Sequence, residues 1–105
     1  MTKYQIKFTS SFKKSLKKVL KQGKEFKKIK TTIIKLANKE ELEIKYKNHE
    51  LNDNKIFKNC KECHVEPDWL LVYKYYENDL ILLLVETGSH SEIFKNSLWA
   101  IFLLS

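Results

Sequence analysis

Residues 69–86 read WLLVYKYYENDLILLLVE, and this stretch decides the fold. Two runs rich in aromatic and branched aliphatic residues, 69–76 and 80–86, flank Glu77-Asn78-Asp79, which is a typical turn sequence. The pattern therefore predicts an antiparallel hairpin. Because both runs are apolar on nearly every residue, we expect both faces of this hairpin to be covered.

Two further strands are predicted outside the hairpin. Residues 57–65 resemble a strand, and Pro67 marks the turn into the hairpin because proline cannot donate to a central ladder. At the N-terminus, Tyr4, Ile6 and Phe8 alternate with polar residues, as in a strand with one buried face. The sequence thus predicts four strands in all.

Two helices are predicted between the first strand and the others. Apolar residues recur at helical spacing from Phe12 to Leu20 and again from Phe26 to Leu36. Gly23 separates the two stretches by so short a turn that they should form an antiparallel helical hairpin. Residues 38–55 are polar and irregular and predict a loop. We therefore expect an α/β (α+β) fold, in which a two-helix hairpin packs on a mainly antiparallel four-stranded sheet that includes the N-terminal strand.

A length of 105 residues predicts one domain over residues 1–105. The helical hairpin can cover only one face of the sheet. The apolar tail 98–104, or a bound partner, is expected to cover the other face.

The charge of the chain favours a polyanionic partner. The formal net charge is +7 and all basic residues are lysine. They crowd the first third of the chain, at Lys13, Lys14, Lys17, Lys18, Lys21, Lys24, Lys27, Lys28 and Lys30. Such a distribution suits a nucleic acid, although lysines on helices also form ordinary solvated faces. No signal-like or membrane-spanning run is present, which predicts a cytoplasmic protein that does not engage a membrane.

Three segments contain all three histidines. They are KYKNHEL at 45–51, ECHVEPDWLLVY at 62–73 and TGSHSEIF at 87–94. In these segments and in the order of its elements, the chain closely resembles the YafQ-like toxins of the RelE superfamily. The resemblance spans residues 1–94, leaves 95–105 as an apolar extension outside it, and implies a RelE-like fold.

That resemblance also implies site residues. Catalytic roles fall on His49, His64, Asp68 and His90, and RNA-binding roles on Trp69 and Phe94. RNA cleavage without a metal needs a base for the ribose 2′-OH, an acid for the departing 5′-oxygen and a cation for the phosphate. Our hypothesis assigns His49 or Asp68 as the base, His90 as the acid, and His64 with nearby lysines as the phosphate-binding group.

Four of these residues also have a structural interpretation. His49 in a polar loop could be solvated, and His64 on a strand could be a half-buried structural imidazole. Trp69 could belong to the core. Asp68, which follows Pro67, could serve only the turn.

Two positions depart from the family pattern. Glu86 stands where these toxins commonly have arginine before the Thr-Gly-Ser-His motif, and Lys61 replaces another frequent arginine. A carboxylate repels phosphate, so we expect the cation to come from Lys61, Lys74 or Lys95. Activity could be weak as a result.

The string Cys60-Lys61-Glu62-Cys63-His64 also spells a haem-attachment motif and could suggest zinc. Residues three apart on a strand point to opposite faces, so the two cysteines should neither chelate one ion nor form a disulfide. The sequence therefore predicts reduced thiols, no metal and no cofactor.

The resemblance implies the toxin of a type II toxin–antitoxin system, a ribosome-dependent endoribonuclease (mRNA interferase) that cuts messenger RNA. The expected partners are a small, acidic, DNA-binding antitoxin in a hetero-oligomer, the messenger RNA and ribosomal RNA. The alternatives are a catalytically weak family member that binds the ribosome or antitoxin, and a ParE-like gyrase poison.

Overall fold

The computed structural model describes residues 2–42, 46, 48–50 and 59–94. Its helices are α1 (Ser10–Lys21) and α2 (Phe26–Ala37). Its strands are β1 (Gln5–Phe8), β2 (His49–Glu50), β3 (Lys61–Glu66), β4 (Trp69–Tyr76) and β5 (Ile81–Gly88). They form one sheet in the order β1-β5-β4-β3-β2, in which β1 runs parallel to β5 and the other neighbours are antiparallel.

The predicted α/β fold with its helical hairpin is confirmed. Thr9 caps α1, since its Oγ1 accepts a hydrogen bond from the Phe12 amide at 2.9 Å. Gly23, at φ +96°, takes the left-handed conformation that lets the chain reverse between the helices. The helices consequently pack as a pair on one face of the sheet.

Two details differ from the sequence prediction. The segment predicted as a loop contains β2, where His49 and Glu50 pair with Glu62 and Lys61. A two-residue strand leaves no periodic signal, so only its tertiary pairing defines it. β3 begins at Lys61 rather than at residue 57; Asn59, at φ +63°, has a left-handed backbone that no strand continues through, and residues 57–58 lie outside the described residues.

The two faces of the sheet contact different hydrophobic clusters. The face under the helices carries the larger one, which includes Trp69, Leu71 and Tyr73 of β4. The opposite face carries a smaller cluster, made of Cys60, Leu70, Val72 and Ile93 with Val85 and Phe94 packed against it. Ile93 and Phe94 belong to a helical turn that begins at His90, so this turn contributes to covering the second face. The predicted role of the tail falls on residues outside the described ones.

No helix among the described residues is long and apolar enough to span a membrane.

Candidate active site

The candidate site lies on the face of the sheet opposite the helices, which we call the histidine face. It comprises Glu62 and His64 of β3, Leu70, Val72 and Lys74 of β4, and the turn 90–94. Strand alternation places His64 on the side opposite Cys63, which is buried in the cluster under the helices. Lys74 follows Val72 by two residues in β4 and therefore lies on the same face as Leu70 and Val72. Its charge lowers the pKa of the Cys60 thiol, against the effect of burial, which agrees with this placement.

One ring nitrogen of His64 makes a hydrogen bond, and the other lies near a carboxylate. Its Nδ1 lies 3.2 Å from the carbonyl oxygen of Pro67, a geometry that requires Nδ1 to carry the proton and donate it. Its Nε2 lies 3.8 Å from Oε1 of the buried Glu62. The hydrogen bond to Pro67 therefore fixes the orientation of the ring.

His90 lies at the start of a turn that is closed by a capping box. The Glu92 amide donates to Ser89 Oγ at 3.2 Å, while the Ser89 amide donates to Glu92 Oε1 at 3.1 Å. Lys18 of α1 joins the same carboxylate, with its Nζ 2.8 Å from Glu92 Oε2. These contacts lower the pKa of Glu92 to about 2, chiefly through the hydrogen bond from Lys18.

Asp68 contacts the backbone of this turn. The His90 amide donates to Asp68 Oδ1 at 3.4 Å. A carboxylate at the first amides of a helical turn is favoured electrostatically as well. Asp68 thus links the β3–β4 turn to the segment that bears His90.

Phe94 packs against His90 from the next turn of the same segment. The ring centroids are 4.7 Å apart and the planes are tilted by 46°. Phe94 is only partly buried where it meets the small cluster. Its ring is therefore placed beside the imidazole and remains partly exposed.

His49 is placed by its neighbours in the chain. Its backbone pairs with Glu62, and Asn48 Oδ1 accepts a hydrogen bond from the hydroxyl of Tyr73, a fully buried residue of β4. The side chain of His49 is not described.

The sheet register brings the three histidine positions together at the level of the backbone. His49 pairs with Glu62, and Glu62 precedes His64 by two residues. His64 pairs with Leu70, Leu70 pairs with Gly88, and Gly88 precedes His90 by two residues. Since neighbouring strands lie about 4.8 Å apart, the chain at Gly88 is roughly 10 Å from that at His64.

Two predicted RNA contacts do not fit this arrangement. The side chain of Trp69 is fully buried among the residues under the helices and donates to Thr87 Oγ1 at 2.9 Å, so its ring is not available to a base. Lys61 pairs directly with Tyr73 and therefore lies on the helix side, away from His64. Lys95 lies outside the described residues, which leaves Lys74 as the predicted lysine found on the histidine face.

Glu86, the departure from the family pattern, is engaged by α1. Its Oε2 accepts a hydrogen bond from Ser11 Oγ at 2.6 Å, and its Oε1 accepts from the Thr87 amide at 3.1 Å. Ser11 lies in the first turn of α1, where a negative charge is stabilised. The carboxylate is thus directed toward the helix N-terminus.

The cysteines of the haem-like motif lie in different clusters. Cys63 is completely buried under the helices, and burial raises the pKa of its thiol to about 12. Cys60 belongs to the cluster on the histidine face. This separation agrees with the alternation predicted from the sequence.

Across the described part of the chain, no group of three or more His, Cys, Asp and Glu side chains could hold a metal ion.

The sequence prediction assigns no role to Ser89 or Glu92, and it names Lys18 only among the lysines of the first third of the chain. Ser89 and Glu92 form the Ser-x-x-Glu pattern of a capping box, which is readable in the sequence. The contact of Lys18 with Glu92 depends on tertiary packing and leaves no sequence signal.

Comparison with known proteins agrees with the fold and the motifs. The model of a family described as "Bacterial toxin of type II toxin-antitoxin system, YafQ" matches residues 4–95. The mRNA interferase toxin YafQ of Escherichia coli (strain B / BL21-DE3) is 34% identical over 95 residues, which are 90% of this chain and 99% of that protein.

Two solved structures are similar over nearly the same range. A metal-bound toxin from Helicobacter pylori has a TM-score of 0.80 and 38% identity, covering 90% of this chain and 100% of the other. YafQ in the E. coli DinJ–YafQ toxin–antitoxin complex has a TM-score of 0.76 and 32% identity, covering 88% and 98%. The chain therefore belongs to the YafQ family of bacterial toxins from type II toxin–antitoxin systems.

Proposed function

We propose that this chain is an mRNA interferase that cuts messenger RNA on the ribosome at its histidine face. The activity named for its E. coli relative supports the substrate. The main support for this location of the active site is that His64 and the His90 turn lie on the same face, each fixed by its own hydrogen bonds.

In the proposed reaction the ribose 2′-oxygen attacks the adjacent phosphorus and the bond to the 5′-oxygen breaks. His49 or Asp68 takes the 2′-OH proton, and His90 donates a proton to the departing 5′-oxygen. The products are a 2′,3′-cyclic phosphate and a free 5′-hydroxyl, so that no water, metal or cofactor is consumed.

Binding of the RNA is assigned to the groups around these imidazoles. His64 and Lys74 bind the phosphate, and the partly exposed ring of Phe94 stacks on a base. The lysines of α1 and α2, Lys18 excepted, make sequence-independent contacts with ribosomal RNA phosphates, which weaken as the salt concentration rises.

The proposed partner is a cognate antitoxin, a small acidic DNA-binding protein that forms a hetero-oligomer with this chain in the cytoplasm. The E. coli relative that was solved with DinJ supports such a complex. An acidic partner also suits a chain with a net charge of +7.

The test is a purified translation system in which bacterial ribosomes hold a defined messenger RNA and primer extension maps any cuts. We expect new 5′ ends within the exposed codon, and their loss when the protein encoded beside the toxin gene is added. Elemental analysis of the active protein should find no stoichiometric transition metal; a requirement for one, as the metal-bound H. pylori relative could suggest, would contradict the metal-free mechanism.

A catalytically weak protein that binds the ribosome or antitoxin is the second candidate, because Glu86 replaces an arginine of the family pattern. Ribosome binding without cuts would favour this candidate, and a gain of cleavage in Glu86→Arg would identify Glu86 as the cause. DNA breaks dependent on gyrase would instead indicate a ParE-like poison.

A further inference from the structure

We propose that Lys18 and Glu92 form a clip that positions His90 for proton transfer, so that helix α1 controls the geometry of the site. This inference rests on the proposed function, because it assumes that His90 takes part in RNA cleavage. Lys18 and Glu92 are positioning residues and are not assigned any contact with the reacting atoms.

The two oxygens of Glu92 bind two different parts of the chain. Oε1 accepts from the amide of Ser89, the residue directly before His90, at 3.1 Å. Oε2 lies 2.8 Å from Nζ of Lys18 on α1. One carboxylate therefore ties the start of the His90 turn to a helix that is distant in sequence.

Helix α1 is a firm support for this clip. Val19, the neighbour of Lys18, is buried in the cluster under the helices. Phe12, which lies about two turns earlier in α1, is buried in the same cluster. A cavity lined by Ser15 and Lys18 of α1 and by Glu86, Thr87, Glu92 and Ile93 lies between α1 and the turn. The clip spans this space.

The turn needs such a support because of how it leaves the sheet. The chain leaves β5 at Gly88, whose φ of +151° is a conformation that residues with a Cβ rarely adopt. A glycine restricts the direction of the following turn less than any other residue does. Asp68 supplies a second contact, but the distance from its Oδ1 to the His90 amide is 3.4 Å.

The test measures single-turnover cleavage on programmed ribosomes at rising toxin concentration, which separates the saturated rate from the half-saturating concentration. Lys18→Met removes the cation and keeps the capping box. Glu92→Gln keeps an acceptor for the Ser89 amide and removes the charge. The double variant reports whether both changes act through one contact.

We expect both single variants to lower the saturated rate by about tenfold, within the roughly hundredfold loss that misplacement of a catalytic group can cause. The double variant should be no slower than the slower single variant. The control is Lys39→Met, which breaks a Lys39–Glu77 ion pair of 2.6 Å in another part of the molecule and should leave both parameters unchanged.

The alternative is that Lys18 only attracts RNA by its charge. In that case Lys18→Met would raise the half-saturating concentration, Glu92→Gln would lower it, and the saturated rate would stay constant. That pattern, or normal rates in both variants, would overturn the positioning role while leaving the proposed function intact. A wild-type protein that does not cut would instead refute the proposed function, and the positioning role with it.

Amide hydrogen exchange gives a readout that is independent of RNA. Loss of the clip should speed exchange at Ser89 and His90 and leave the amides of β4 unchanged. Slow exchange at Ser89 in variants with a reduced rate would show that Lys18 and Glu92 act in some way other than positioning.

Discussion

The two faces of the sheet differ in the size of their hydrophobic clusters and in the polar groups beside them. Under the helices, fully buried large side chains such as Trp69, Leu71 and Tyr73 form the larger cluster. On the histidine face, a smaller cluster lies beside the polar groups Glu62 and His64. The face under the helices therefore contributes most of the buried core, and the other face combines a smaller cluster with the polar side chains to which we assign the chemistry.

Replacing one aromatic residue on each face should show the difference between the two faces most clearly. Trp69→Ala removes a fully buried ring and its hydrogen bond to Thr87, and should lower the free energy of unfolding by about 3–5 kcal/mol. Phe94→Ala removes a partly buried ring beside His90 and should cost only about 1 kcal/mol of stability.

Urea denaturation and the ribosome cleavage assay together check this pair. Phe94→Ala should lose cleavage activity well beyond its loss of stability. A Trp69→Ala protein of normal stability with defective RNA binding would contradict the account and restore the role that the sequence prediction gave to Trp69.

The hydroxyl of Tyr73 allows a finer comparison, because it extends from the stabilising cluster to the segment that carries His49. Tyr73→Phe removes the hydrogen bond to Asn48, and Tyr75→Phe removes one of 2.6 Å to the Leu36 carbonyl. Each should cost about 1 kcal/mol of stability. Only Tyr73→Phe should also reduce cleavage, by about fivefold, the rate equivalent of one such hydrogen bond. Equal activity in the two variants would show that Tyr73 does not position His49.

The smallest expected effect is the dependence of stability on pH at Glu92. The pKa of this carboxyl is about 2 in the folded protein, against 4.5 as its ordinary value. Its stabilising contribution is therefore complete above about pH 4.5 and declines as the pH falls through 2. The difference in unfolding free energy between the wild type and Glu92→Gln should be constant from pH 7 to 5 and shrink below that. A difference that grows on acidification would refute the ion pair.

Much of the fold could be predicted because its signals are local. Residues 69–76 were predicted as a strand and form β4 with the same bounds, since apolar runs flank a polar turn. Both helices appear where the helical spacing placed them. β2 could not be predicted, because two residues define a strand only through their pairing with β3.

The site was predicted less completely, for a different physical reason. Motifs indicate which residues belong to a site but not the face on which each side chain lies. Trp69 was assigned to RNA although it alternates in phase with Leu71 and Tyr73, and Lys61 was assigned there although it lies opposite Tyr73. Strand alternation along the motif places both residues on the face under the helices. The Lys18–Glu92 contact joins residues 74 positions apart and could only come from the structure.

His90→Ala tests most directly whether the exposed side chains of the histidine face perform the chemistry without being needed for the fold. His90 is exposed, so its loss should change the free energy of unfolding by no more than about 0.5 kcal/mol. Cleavage of messenger RNA on the ribosome should fall by about 10²–10⁴-fold, the usual contribution of a general acid. Undiminished cleavage by a normally folded His90→Ala protein would contradict the claim.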